Sequence, residues 1–123
     1  MRKLLLLLPC LLLVIACFAS GPEATVKRFY NAMEDGEIDT AVDLLSGRIV
    51  SMLGKDKMRK ALSEQALEIK RKGGIDSIKI DEMEEVGEVA EGKVTITFGD
   101  GTTKTEDVKL IKEEGKWKLD ADK

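Results

Sequence analysis

The chain has 123 residues, with 20 basic and 23 acidic side chains and a formal net charge of −3, a balance that argues against nucleic acid as its partner. Histidine is absent, which removes the commonest general base and the commonest zinc ligand together. The two cysteines, Cys10 and Cys17, both fall in the first 17 residues, so the rest of the chain has no disulfide framework.

Arg2-Lys3 opens the chain, and Leu4 to Ala16 is an apolar run of 13 residues. That is short of the roughly 20 residues needed to cross a hydrocarbon core as a helix. Pro9 interrupts the run and would cost a helix a hydrogen bond. A basic start, a short apolar stretch and small residues before a cleavage point describe a cleaved signal peptide. The four residues at its end, Val14-Ile15-Ala16-Cys17, resemble the lipobox of bacterial lipoproteins, whose signal peptidase cuts ahead of the cysteine. A cut after Ala19, with Cys17 and Ala19 as the small residues flanking Phe18, is the rival reading.

On the lipobox reading, residues 1–16 are a lipoprotein signal peptide and residues 17–21 are the lipidated cysteine and a short tether. Residues 22–123 then form a single domain. Cys17 would carry diacylglyceryl on its sulfur and hold the protein to membrane lipid in the bacterial cell envelope. Its site would be the outer membrane or the exterior face of the cytoplasmic membrane. Two or more acyl chains make a stable anchor, each buried methylene adding about 0.8 kcal/mol. Removing residues 1–16 leaves 107 residues, enough for one core, with 18 basic and 23 acidic groups and a net charge near −5. With Cys10 discarded and Cys17 acylated, the domain keeps no thiol and must be stabilised by packing. The tether, Phe18 to Gly21, leaves five backbone steps from Cys17 to Pro22, which reach roughly 15 to 20 Å at about 3.4 Å per step, so the domain should ride close to the bilayer.

A first helix is predicted from Pro22-Glu23, where Pro suits the first turn and Ser20 or Gly21 can cap. Val26, Phe29, Tyr30 and Met33 recur at helical spacing, and Asp35-Gly36 ends the helix with Gly36 in the left-handed position. A second helix follows at once, with Ile38, Ala41, Val42 and Leu45 on one face, and stops near Ser46-Gly47. Ile49 to Leu53 reads as a helical turn before Gly54. A third helix runs from about Lys55 to Lys72, with Met58, Ala61, Leu62, Ala66 and Ile69 inward and Gly73-Gly74 closing it. This segment holds 7 basic and 3 acidic groups. It reads as a solvated helix face with Lys70, Arg71 and Lys72 at the negative end of the dipole, or else as a basic patch for anionic headgroups.

After Gly74 the apolar period changes from 3.6 to 2. Ile78 and Ile80, then Val94, Ile96 and Phe98, then Val108 and Leu110, then Trp117 and Leu119 alternate with polar residues. These are half-buried antiparallel strands with one wet face each. Asp100-Gly101 and Glu114-Gly115 mark hairpin turns, and the alternation slips between Met83 and Gly87, where a turn or bulge is expected. Three N-terminal helices followed by four strands make an α+β pattern, with the helices packed on an antiparallel sheet.

Several stretches together resemble the nuclear transport factor 2-like superfamily. They are Pro22-Glu23, the Arg28-Phe29-Tyr30-Asn31-Ala32-Met33 helix, the Asp35-Gly36-Glu37 break, the Ala41 to Leu45 helix, the Val108 to Leu110 strand and Glu114-Gly115-Lys116-Trp117-Lys118-Leu119. More narrowly they are similar to its branch of uncharacterised bacterial lipoproteins with lumazine-binding-like domains. The resemblance implies a cystatin-like cone: a curved sheet wrapped around a long helix, open at one end where relatives have a pocket, and often dimeric. Phe29, Met33, Met58, Phe98 and Trp117 are the candidate pocket lining, with ordinary core packing as their other reading.

Ketosteroid isomerase, an enzyme of this superfamily, uses a carboxylate base and a helix tyrosine. Aligned on Arg28-Phe29 and Asp35-Gly36-Glu37, this chain has Phe29 in place of that tyrosine and no carboxylate in Ser46 to Leu53. Dehydratase relatives rely on histidine. The expectation is therefore a non-enzyme with no catalytic residue, metal or cofactor. Asp81, Glu82, Glu84 and Glu85 read as a solvated turn rather than a calcium site, and Gly99-Asp100-Gly101 as a hairpin rather than a phosphate loop. Three functions remain open: a binding domain whose cone takes a small apolar ligand or a protein partner's segment; a scaffold or interaction module with a filled core, as a monomer or homodimer; and, behind these two, an enzyme of the ketosteroid isomerase or dehydratase type that uses the cone.

Overall fold

The computed structural model describes residues 21–121; the expected signal peptide at 1–16, Cys17 and the expected tether up to Ser20 lie outside the described residues. Helix α1 spans Pro22–Asp35, with Pro at its first turn and Gly36 at φ 74° beyond its end. The Glu37 amide donates to the Ala32 carbonyl (2.9 Å) and the Gly36 amide to the Met33 carbonyl (3.2 Å), which is the paired C-terminal pattern that a left-handed glycine permits. Val26, Phe29 and Met33 are buried along one stripe, and Tyr30 beside them is half-buried.

Helix α2 is shorter than the apolar pattern suggests, spanning Ile38–Asp43. Leu45 leaves the helix and forms a parallel bridge with Leu119. The Leu119 amide donates to the Leu44 carbonyl (2.8 Å), and the Ser46 amide donates to the Leu119 carbonyl (2.7 Å). The sheet edge thus captures backbone groups that a longer helix would have used.

The expected turn at 49–53 is a helix in its own right, α3, Gly47–Leu53, so the described residues hold four helices ahead of the sheet rather than three. A local cap and a side chain distant in sequence start it. Ser46 Oγ accepts from the Ile49 amide (3.3 Å), and the Glu113 carboxylate accepts from the Gly47 amide (3.1 and 3.2 Å). Ser46, fully buried, also donates to Asp120 (2.8 Å), whose other oxygen pairs with Arg48 at 2.7 Å. Helix α4, Lys55–Arg71, buries Met58, Leu62 and Ile69.

Strands β1 (Ile75–Val86), β2 (Val89–Phe98), β3 (Thr103–Glu113) and β4 (Lys116–Asp120) follow as an antiparallel meander in sequence order. The β1–β2 register shifts between Asp81 and Glu84, where Glu82 takes φ 57°, and the hairpin turns at Gly87-Glu88. This bulge bends the sheet. Gly92 sits opposite it, where a Cβ would lie 3.1 Å from the Met83 Cα. The face that curves over the helices carries Val94, Ile96, Phe98, Val108, Leu110 and Leu119, all buried. The outer face is polar, with paired rows such as Thr95–Thr105 and Lys93–Asp107.

The two halves meet tightly where α4 ends. The Gly99 amide donates to the Gly74 carbonyl (2.9 Å) and the Asp100 amide to the Lys72 carbonyl (2.8 Å). A Cβ at Gly99 would stand 2.3 Å from the Gly73 carbonyl oxygen, so this backbone approach requires glycine.

Candidate functional site

The five candidate lining residues converge, but as packing. Phe29, Met33, Met58, Phe98 and Trp117 all belong to one buried cluster between helices and sheet, each less than a tenth exposed. Phe29 meets the Tyr30 ring edge-on with centroids 5.3 Å apart. Lys112 Nζ lies 5.4 Å from the centre of the Trp117 ring, and Thr25 Oγ1 donates to the Trp117 carbonyl at 3.4 Å. Phe98 reaches a recess at one end of the cone, and Met33 reaches a groove on the outside.

The recess has a volume of about 80 Å³ and is bordered by Tyr30 on α1, Ile69 and Lys72 on the α4 side, and Ile96, Lys104 and Glu106 on the sheet. Tyr30 Oη donates to Glu106 Oε2 (2.8 Å), and Lys104 Nζ lies 2.8 Å from the other oxygen of the same carboxylate. Lys72 Nζ sits 4.8 Å above the Phe98 ring. Burial, then the Glu106 charge and the hydrogen bond to it, push the Tyr30 phenol well above its usual range, so it stays a neutral donor. For Glu106, burial alone would raise the carboxyl, but the hydrogen bonds from Lys104 and Tyr30 and the Lys104 charge outweigh it and hold it below the usual range. The result is an ionised acceptor already supplied with two donors.

This network joins residues 76 positions apart, and the sequence offers one sign of it. Lys104 and Glu106 share strand parity with Val108 and Leu110, whose side chains point inward. A charge on the inward row of a strand calls for a partner across the core, and Tyr30 on the α1 stripe supplies it.

The larger concavity is an open groove of about 660 Å³ between the end of α1 and the second half of α4, lined by Met33, Ile38, Ala66, Leu67 and Ile69, with Glu34 and Lys70 also bordering it. Asp81, Glu82, Glu84 and Glu85 fall on β1 across its bulge, and the described residues contain no group of three or more Asp, Glu, His or Cys arranged to hold a metal. Asp100 spends its carboxylate on its own turn, accepting from the Thr102 amide (2.9 Å) and hydroxyl (2.6 Å).

A four-stranded antiparallel sheet curled over a long helix, with α2 and α4 flanking it, defines the nuclear transport factor 2-like cone, and solved structures agree. A Campylobacter jejuni protein provisionally described as an NTF2-like transpeptidase superposes with a TM-score of 0.73 at 23% identity, over 84% of this chain and 100% of that one. A SEC-C motif containing protein from Rhodopseudomonas palustris gives 0.62 at 17% identity, over 84% of this chain and 77% of that one. A de novo designed protein with a curved β-sheet gives 0.53 at 14% identity, over 80% and 93%. At these identities the likeness is one of fold. Within this fold the chain belongs to the family described as Domain of unknown function (DUF4878), whose profile matches residues 15–120. No curated protein matches it in sequence.

Proposed function

We propose that this chain is a bacterial envelope lipoprotein, anchored through acylated Cys17, whose cone domain is a non-catalytic interaction module. The observation that carries the second half is the filled cone. Phe29, Met33, Met58, Phe98 and Trp117 are buried in the core between helices and sheet, and the recess beside them is about 80 Å³, far below the roughly 300 Å³ at which small-molecule sites begin. The exterior groove of about 660 Å³ is a better receptor for a partner's apolar segment. The anchor half is supported by the lipobox Val14-Ile15-Ala16-Cys17 and by a helix that begins at Pro22, which leaves a short tether.

The non-catalytic reading is supported by the state of the recess. A general base works best with a pKa near the operating pH, and Glu106 is displaced in the opposite direction. The only phenol that faces the recess donates to that carboxylate rather than into open space. The transpeptidase description of the Campylobacter protein is not carried over, because at 23% identity the likeness is one of fold.

Native mass spectrometry of the membrane-extracted protein tests both halves together. The expected result is a diacyl or triacyl mass on Cys17 and no retained small molecule. A free Cys17 thiol would overturn the anchor, and a small apolar molecule that stays with the folded domain would overturn the filled cone. Cys17→Ala should release the domain from membranes or stall its processing.

A further inference from the structure

We infer that the elbow between α3 and α4 docks on an anionic lipid surface, an assignment that rests on the reading of Cys17 as a membrane anchor. α3 has no fully buried residue. Ile49 and Val50 lean against the core, while Met52 and Leu53 at its end stand 76% and 45% exposed. Gly54, at φ 89°, turns the chain from these two side chains directly into α4. The first turns of α4 then present Lys55, Lys57 and Lys60, all exposed and in no ion pair among the described residues. Arg59 on the same turns is held by Asp39 at 2.8 Å. Asp56 is the one carboxylate within residues 54–60.

An apolar tip flanked by lysines matches the boundary between headgroups and acyl chains. Met52 and Leu53 would enter the apolar side, while the lysines keep their ammonium groups at the phosphates and lay their alkyl stems along the interface. The charge of the rest of the domain selects this orientation. Residues 73–123 hold 8 basic and 14 acidic groups, so an anionic bilayer repels the sheet half and attracts the elbow. The tether of residues 18–21 keeps the domain within roughly 15 to 20 Å of the anchor, so a contact too weak to recruit a free protein is strong enough to orient a tethered one.

The test uses the mature acylated protein with Met52→Cys, labelled there with a polarity-sensitive fluorophore. Position 52 is open enough to accept the change without disturbing the core. The labelled protein is reconstituted into vesicles of phosphatidylethanolamine with phosphatidylglycerol, and separately into phosphatidylcholine vesicles. Docking predicts a blue-shifted emission, quenched by spin-labelled lipid, in the phosphatidylglycerol vesicles and its loss at high salt. Each of Lys57→Gln and Lys60→Gln should lower the docked-to-free ratio about fivefold. Water-like emission from protein that floats with phosphatidylglycerol vesicles would overturn the docking and leave the anchor standing. Equal shifts in both lipids would overturn the anionic assignment, and a shift that grows with protein density would assign the elbow to a second copy instead. A free Cys17 with no flotation would remove the anchor, and the docking with it.

Discussion

Removing the Asp120 carboxylate should unfasten the C-terminal strand from the helical half. Its side chain is 3% exposed, accepts from the fully buried Ser46 hydroxyl at 2.8 Å and pairs with Arg48 at 2.7 Å. Asp120→Ala strips a buried donor of its acceptor, which costs about 1 to 3 kcal/mol. The Arg48 side chain is 45% exposed, so solvent screens the ion pair and its loss adds at most about 1 kcal/mol. The total, about 1 to 4 kcal/mol, has its middle near 2.5 kcal/mol, which corresponds to roughly 10 to 20 °C in Tm for a domain of this size. Asp120→Asn keeps an acceptor for Ser46 and should lose about 1 kcal/mol. The pH dependence separates charge from shape. Burial would raise the Asp120 carboxyl, but the bonds from Arg48, Ser46 and the Ala121 amide prevail and hold its pKa below the usual range. The stability this lends is therefore complete above the unfolded value of about 3.9 and disappears as pH falls through the lower folded value. Denaturant unfolding of wild type and Asp120→Asn at pH 7 and at stepwise lower pH should show the gap closing below about pH 4. A gap of constant size down to acid unfolding would refute the account, as would Asp120→Ala within about 0.5 kcal/mol of wild type.

Other substitutions probe other joints. Gly99→Ala should destabilise by about 2 kcal/mol or more in chemical denaturation, because its methyl would meet the Gly73 carbonyl oxygen at 2.3 Å and backbone must move; a neutral result would mean that α4 does not dock on the β2–β3 hairpin as described. The chain has one tyrosine, so tyrosinate absorbance reads Tyr30 alone. Its step should be displaced above the ordinary value of about 10 and arrive with alkaline unfolding, whereas a step near 10 in folded protein would deny the buried bond to Glu106. Tyr30→Phe should cost about 1 kcal/mol, since Glu106 keeps Lys104.

Much of the fold is legible where the signal is local. The α1 stripe of Val26, Phe29 and Met33 follows from spacing, and its end follows from Gly36, the residue that adopts the left-handed conformation at least cost. The β2–β3 turn follows from Asp100-Gly101, and the inward rows of β2 and β3 follow from strict alternation. The bulge near Met83 shows as a lapse in that alternation. Where α2 ends was not legible, because Leu45 satisfies a helical stripe and a bridge to Leu119 equally well. α3 was legible only as a helical turn over Ile49 to Leu53; its first amide is capped by Glu113, 66 residues away, which no local pattern announces. The polar group at the recess was missed: Lys104 and Glu106 share the inward parity of β3 and pair with each other, but the Tyr30 hydroxyl that completes the group comes from 76 positions away.

What the sequence determined by itself is therefore most of the elements, though not the end of α2 or the extent of α3, and the face each one turns inward, because periodicity and turn chemistry act within a few residues. Whether the cone is open or full was decided by the tertiary structure. The same five side chains, Phe29, Met33, Met58, Phe98 and Trp117, would serve as lining or as filling. Their role depends on how closely helices and sheet approach, and the Gly73–Gly99 contact and the Ser46–Asp120–Arg48 clamp fix that distance. Volume is a property of elements brought together from across the chain, and no single stretch of sequence carries it.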